Sequence, residues 1–278
     1  MNKFAACLSA VVCCLLQLVP LPTAANVVDA DSIMTRRMDE NLCVLSFDDG
    51  PSRFTPHLLD MLNDYGIPAT FFLVGGMAEK YPDIVRRIVE EGHEVGNHTW
   101  SHPNLRKISR EQAREEVART NDLLTSLGAR PAHLRPPYGV FDEHTVSVAE
   151  SLGLTVVLWS TDSKDWRRLP ASYATLRNGH GSVYPQGKTH GIFLFHDTHK
   201  STVNDLPRIV KELYEAGCSR FVTVGEYLGG QADPEPGILM TRRLPTVPLS
   251  SAAPSPDTPV ELLQIQLVER PEKTPEQQ

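Results

Sequence analysis

Cysteine is scarce in this chain. Of the five cysteines, Cys7, Cys13 and Cys14 lie in the apolar N-terminal stretch, and only Cys43 and Cys218 lie beyond it. A framework of several disulfides is thereby excluded. Whether the remaining two pair, or stand as buried thiols in neighbouring strands, is left open by the sequence. Basic runs are absent too. No Lys/Arg-rich segment occurs and the formal charge is −7, which argues against a nucleic-acid binder. An acidic surface suits neutral glycans or small molecules without choosing between them. No internal repeat occurs in the 278 residues, a length that allows one large domain or two small ones.

A bilayer-spanning apolar run is also missing. The nearest approach, Phe4 to Val19, is interrupted only by Ser9 and Gln17 and has roughly 16 residues against the ~20 a span needs. Lys3 precedes it, and small residues up to Ala25 follow. This layout predicts a secretory signal peptide over residues 1–25, cut near Ala25. The protein is expected to be exported, to the periplasm or beyond, with no stable membrane anchor after cleavage.

Residues 26–41 are polar and read as a loose lead-in. From Leu42 onward, apolar stretches at 42–45, 69–74, 94–97, 133–135, 155–161, 192–196 and 220–224 predict about seven strands. Helical patterns fall between them. Thr55-Pro56 predicts a helix start with Thr55 as cap, Pro82 opens another helix, and Ser109 with Gln112 forms a capping-box pattern. Further helices are expected over 142–153 and 203–217. Such alternation predicts an α/β fold with a parallel sheet. Open and closed sheets both fit it. Asp48, Asp49, His98, Arg135, Asp162, Asp165 and His196 all follow strand cores, and barrels gather reactive groups at the C-terminal ends of their strands. A barrel over residues 42–228 is therefore favoured. Beyond it, residues 229–278 have the Pro-rich composition of a disordered tail.

The candidate chemistry starts at Ser46-Phe47-Asp48-Asp49-Gly50-Pro51, where an apolar strand delivers two adjacent carboxylates to a turn. Neighbouring residues at a strand end point different ways, so one carboxylate can bind a metal while the other handles protons. A solvated acidic turn fits those residues equally well. His98-Thr99-Trp100-Ser101-His102 adds two imidazoles four apart, which face one way on a helical turn. With Asp49 they make the two-His, one-carboxylate set of a catalytic zinc site, a set that also suits other first-row metals. Asp48 is then the natural base, and His196, after an apolar strand, a candidate acid. Arg135, held before two prolines, can clamp a carboxylate.

Five segments occur in order: Ser-Phe-Asp-Asp-Gly-Pro, His-Thr-Trp-Ser-His, Arg-Pro-Pro-Tyr-Gly, Asp-Ser-Lys-Asp-Trp and Leu-Phe-His-Asp. Each is modest alone. As a set they resemble the five motifs of the NodB-like polysaccharide deacetylases, carbohydrate esterase family four, over roughly residues 42 to 228. The resemblance implies a distorted (β/α) barrel. It also implies a divalent metal, usually zinc and sometimes cobalt, held by Asp49, His98 and His102. Asp48 would be the base, Arg135 its holder, His196 the acid and Asp165 the group that orients it. The Tyr138 backbone N–H would stabilise the oxyanion. Pro137, Tyr138, Trp166 and Leu194 would contact substrate, the last two around the acetyl methyl. One departure is Ser46, where Thr is common.

The implied activity is removal of N-acetyl groups from N-acetylglucosamine-type residues of a polysaccharide, peptidoglycan or chitin-like, by a monomer. Rival readings are an O-acetyl esterase, a small-molecule amidohydrolase and an inactive glycan-binding module.

Overall fold

The computed structural model of the protein describes residues 27–35, 41–167 and 190–229. The expected signal peptide, residues 36–40 of the lead-in, His180 and the tail beyond Gly229 lie outside them. All described residues belong to one compact unit.

The central strand, β2 (Leu42–Asp48), is buried at every position. A strand covered on both faces cannot alternate apolar with polar residues, which is why its sequence is nearly continuously apolar. On one side of it lie β3 (Thr70–Leu73), β4 (Glu94–Asn97), β5 (His133–Leu134), β6 (Thr155–Val157) and β1 (Val27–Val28). On the other lie β8 (Gly191–His196) and β7 (Thr161–Asp162), while the short β9 (Arg220–Phe221) pairs with the start of β2. The order is β1-β6-β5-β4-β3-β2-β8-β7, and the ladders are parallel.

The expected strand at 155–161 is broken, for a reason that shapes the whole sheet. Leu158 N–H bonds Val28 O at 2.9 Å, and Ser160 N–H bonds Ile192 O, also at 2.9 Å. Residues two apart thus serve opposite sides of the order. This crossing curls the sheet into a distorted, half-open barrel and divides one predicted strand into β6 and β7.

The second departure is at the N-terminal side. Residues 27–35, expected as loose, hold β1 and helix α1 (Ala30–Thr35). Val28 and Ile33 are buried with Leu42, Val44, Phe72 and Tyr227 in one core cluster. An apolar dipeptide is too short to produce a period-2 signal, so its strand is set by the partner, β6. With β1 and the division of β6 from β7, about seven expected strands become nine among the described residues.

The helices cover the sheet by packing one face. In α2 (Thr55–Tyr65), Leu58, Leu59 and Leu62 are fully buried, each worth roughly 1.5–3 kcal/mol. Gly66, at φ 63°, ends the helix by returning its N–H to Asn63 O. Thr55 is the first helical residue rather than the cap; its hydroxyl accepts from Ser52 N–H and donates to the Asp197 carboxylate. The helix α3 (Gly75–Lys80), unforeseen because Gly-Gly reads as a breaker, precedes α4 (Pro82–Glu90). A side chain at Gly75 would bring its Cβ within 2.5 Å of Trp100 Cε3, so only glycine fits that start. Helix α5 (Arg110–Ser126) opens on the expected box, with Ser109 and Gln112 each bonding the other's backbone. Helices α6 (Glu143–Ser151), α7 (Lys200–Glu215) and α8 (Val224–Tyr227) complete the layer.

Cys43 on β2 and Cys218 just before β9 form a disulfide, with Cα atoms 6.0 Å apart and 175 residues of separation. A bridge closing so long a loop restricts the unfolded chain. Reduction is expected to cost roughly 2–4 kcal/mol. Urea unfolding with and without reductant measures this, and an unchanged midpoint would mean the bridge carries no stability.

Candidate active site

The parallel register brings the C-terminal strand ends to one rim. Asp48, the last residue of β2, pairs in register with His196, the last of β8, and with Phe72 of β3. Asn97 ends β4 opposite Leu134 of β5, so His98 and Arg135 leave their strands side by side. The residues that follow strand cores thereby meet on one face.

Asp49 turns out of β2 at φ 72°, a left-handed conformation that Asp tolerates. Its carboxylate meets two imidazoles: Oδ1 lies 3.4 Å from His98 Nε2 and 3.2 Å from His102 Nε2. Donors bound to one cation at about 2.0–2.2 Å in a tetrahedral arrangement stand roughly 3.3–3.6 Å apart, close to these distances. Among the described residues, Asp49 Oδ1 is buried without a hydrogen-bond partner, as suits a cation ligand. Burial raises the Asp49 pKa, but His98, then His196 and His102, outweigh it and hold the carboxyl at about 2. Burial and the neighbouring His98 push His102 below the usual imidazole range, against the pull of Asp49 and Asp48, which favours the neutral form that binds metals.

His98 and His102 do not share a helical turn, as their spacing suggested. Thr99 and His102 are both left-handed, at φ 68° and 60°, and Asn97 Oδ1 accepts from Thr99 N–H at 2.8 Å. That side-chain bond takes the place of a helical one. The loop still brings the rings to a centroid distance of 4.9 Å. His98 Nδ1 lies 2.7 Å from Arg135 O, which can only accept, so the proton is on Nδ1 and the Nε2 lone pair points at the carboxylates.

Arg135 is fully buried and spends its guanidinium on fixed acceptors. Nη1 donates to Asp48 Oδ1 at 2.7 Å and to Ser46 Oγ at 2.9 Å; Nη2 donates to Leu158 O and Nε to Val157 O. The guanidinium carbon sits 3.9 Å from the centre of the Phe72 ring. Ser46 has a part here that its residue type alone did not announce. Its hydroxyl accepts from Arg135 and donates to Phe193 O.

Across the cleft, Asp165 receives three hydrogen bonds: His196 Nδ1 at 2.7 Å, His196 N–H at 2.8 Å and Thr202 Oγ1 at 2.7 Å. Burial would raise the Asp165 carboxyl, but these bonds, His196 first, hold it below the usual range. Burial would lower His196. Asp165 outweighs that, with Asp48 and Asp49 adding to it, and raises the imidazole to about 9. The Nδ1 proton is committed to Asp165, so Nε2 is the nitrogen that remains for other partners.

The cleft between these groups has a volume of about 460 Å³ and is lined by Asp48, Asp49, His98, His102, Tyr138, Trp166, Leu194 and His196, together with Trp159 and Asp162. Tyr138, at φ 62°, is 65% exposed and its ring stands edge-on to His102 at 4.6 Å. Pro137 is buried in the short 3-10 turn Pro137–Gly139 and does not line the cleft. Trp159 was missed because a tryptophan ending a strand reads as core. Its ring underlies Gly139, where a Cβ would come within 2.7 Å. Asp197 was also passed over. Burial, with a contribution from the Asp49 charge, pushes its carboxyl up to about 7 against the Thr55 bond, and it packs so closely behind Gly50 that a Cβ there would fall 2.4 Å from its oxygens. Of the other histidines, His133 bonds Glu94 at 2.6 Å, while His93 accepts from Ala69 N–H; both are interior pairings away from the rim.

Comparison with known proteins agrees with this geometry. A family model described as polysaccharide deacetylase matches residues 35–157. The chain is 42% identical over 186 residues to a peptidoglycan-N-acetylglucosamine deacetylase of Bacillus cereus, covering 65% of this chain and 66%, just under two thirds, of that protein. It is 35% identical over 187 residues to a chitooligosaccharide deacetylase of Sinorhizobium fredii, covering 62% of this chain and 86% of that one. A crystal structure of the Bc1960 peptidoglycan N-acetylglucosamine deacetylase, in complex with 4-naphthalen-1-yl-N-oxidanyl-benzamide, superposes with a TM-score of 0.64 at 35% identity, covering 75% of this chain and 95% of that one. Half-open parallel barrel, rim of acids and histidines, and relatives concur: the chain belongs to the polysaccharide deacetylase family, carbohydrate esterase family four.

Proposed function

We propose that this protein hydrolyses N-acetyl groups on N-acetylglucosamine-type residues of peptidoglycan or a chitin-like glycan, releasing acetate and leaving a free amine. The observation that carries this reading is the placement of two carboxylates with separate partners. Asp48 is clamped by Arg135, and Asp49 faces His98 and His102, opposite the His196–Asp165 pair. Asp49, His98 and His102 would hold a divalent cation, zinc by the donor set, which would supply Lewis-acid polarisation of the acetyl carbonyl and would acidify the attacking water toward a pKa of about 7.

The protein groups complete the reaction. Asp48 takes a proton from the water as its oxygen attacks the carbonyl carbon. The Tyr138 backbone N–H donates to the oxygen that gains charge. His196 gives its Nε2 proton to the amide nitrogen as the C–N bond breaks, and Asp165 holds the ring through Nδ1. Trp166 and Leu194 surround the methyl group. The described lining residues include a candidate base, a candidate acid and the three candidate ligands, which supports an active enzyme over an inactive module. The leader-like N-terminus and the Cys43–Cys218 bridge both suit an oxidising compartment outside the cytoplasm. Acetate release from peptidoglycan, chitin oligomers and acetylxylan, with and without a chelator, tests the reading. Turnover insensitive to chelation, or confined to acetylxylan, would overturn it.

A pH dependence follows. His196 must be protonated to act, so turnover falls as pH rises through its pKa. Asp165 is the main group raising that pKa. Asp165→Asn should therefore move the alkaline limb of the rate profile to lower pH as well as slow the enzyme. A limb that stays in place would remove His196 from the role of acid.

A further inference from the structure

His98 and His102 are not held in the same way. Metal-binding histidines are ordinarily fixed by a hydrogen bond from the second ring nitrogen to a fixed acceptor. His98 has one, to Arg135 O. Among the described residues, no hydrogen bond to the ring of His102 is found apart from its approach to Asp49. The position of its ring has to come from its backbone, and that backbone is the last residue of a loop with two left-handed residues, Thr99 and His102.

One side chain outside the rim grips the middle of this loop. Glu116, on α5, accepts from Trp100 N–H at 2.9 Å and from Ser101 N–H at 2.7 Å through Oε2, and from Ser101 Oγ at 2.8 Å through Oε1. Its carboxylate enters no ion pair among the described residues, so those three donors are its business. The opposite side of the loop is pinned by backbone bonds from Gly75 N–H to Thr99 O and Gly76 N–H to Trp100 O, both 2.9 Å. Arg119, three residues along α5 from Glu116, stacks on the Trp100 ring at 3.4 Å. Trp100 and Ser101 are the residues directly before His102.

We infer that Glu116 is a positioning residue for the cation site: by binding the Trp100 and Ser101 amides it sets the turn that delivers His102 to Asp49. A charge-assisted acceptor shared by consecutive amides fixes a peptide plane more firmly than a neutral one. The loop therefore has one attachment at the start of α3 and one on α5. This inference rests on the metal-site part of the reading above, though not on the identity of the glycan.

The test is zinc affinity of the full chain, measured by titration calorimetry on metal-stripped protein, alongside the melting temperature of the stripped form. Glu116→Ala should weaken zinc binding roughly 10–100-fold, the usual range for a group behind a ligand. Glu116→Gln, which keeps the reach and an acceptor oxygen but loses the charge, should fall between wild type and Glu116→Ala. Glu116→Asp keeps the charge but shortens the arm by one methylene, and should lose about tenfold; it decides the matter if the alanine variant does not fold. Wild-type affinity in folded Glu116→Ala or Glu116→Asp, with only the melting temperature lowered, overturns the assignment. Wild-type protein that takes up no zinc overturns the metal-site reading, and this inference with it.

Discussion

Asp48→Asn is expected to bind a divalent metal as wild type does and to lose most of its turnover. The asparagine keeps the volume and an oxygen for Arg135 Nη1, so the 2.7 Å contact has a successor. It cannot take a proton from water. General-base contributions run at about 10²–10⁴-fold, or roughly 2.7–5.5 kcal/mol of activation barrier. Asp48 is not one of the three clustered ligands, and its nearer approach to them is 3.8 Å from Oδ2 to His98 Nε2. Metal content should therefore be unaffected. The substitution also removes the anion beside a fully buried guanidinium, and uncompensated buried charges cost several kcal/mol. Rates should be compared below the variant's melting point. A folded Asp48→Asn enzyme with wild-type turnover would end the base assignment.

Asp49→Ala, one residue along, should fail in a different way. It removes the sole carboxylate of the cluster and the atom that lies 3.2 and 3.4 Å from the two imidazoles. A direct ligand matters more than a group behind one, so affinity should fall by more than about 100-fold, and stoichiometric zinc with it. Turnover should disappear in step with metal. His98→Ala should behave alike, because the bond from its Nδ1 to Arg135 O ties the same ligand set to the Asp48 clamp. Metal analysis and acetate release on the same preparations settle the point. Full zinc occupancy in Asp49→Ala would show that another group holds the cation. The contrast between neighbours is the sharper test: one variant loaded and inactive, the other empty.

Much of the fold was legible because its signals are local. Apolar runs of strand length, the Ser109–Gln112 box and Gly66 at a helix end each depend on a few adjacent residues, and each appears in the structure. The break between β6 and β7 was not legible. Thr155 to Thr161 is a good strand by composition, and it divides where the Leu158 amide bonds Val28 on one side and the Ser160 amide bonds Ile192 on the other, both distant in sequence. The same holds for β1, a dipeptide given strand form by its partner. At the site, the identity of Asp49, His98, His102, Asp48 and His196 as chemically able groups could be read from residue type and position after strand cores. Their expected geometry could not. The spacing of His98 and His102 suggested a helical turn, and the loop reaches the same convergence through left-handed residues, because Asn97 and Glu116 hold its amides.

What the sequence determined by itself is the inventory: a parallel α/β chain, acids and histidines placed just beyond strand ends, and one arginine stiffened by the prolines after it. Those follow from backbone periodicity and side-chain chemistry, which act over a few residues. The family resemblance already implied three of the pairings, and the tertiary structure alone set their distances and decided the fourth. These are Asp48 with Arg135, Asp49 with the two imidazoles, Asp165 with His196 and, fourth, Cys43 with Cys218. Each of these joins atoms a few ångströms apart from residues in different elements, and such distances are set by sheet register and by the loops that leave it.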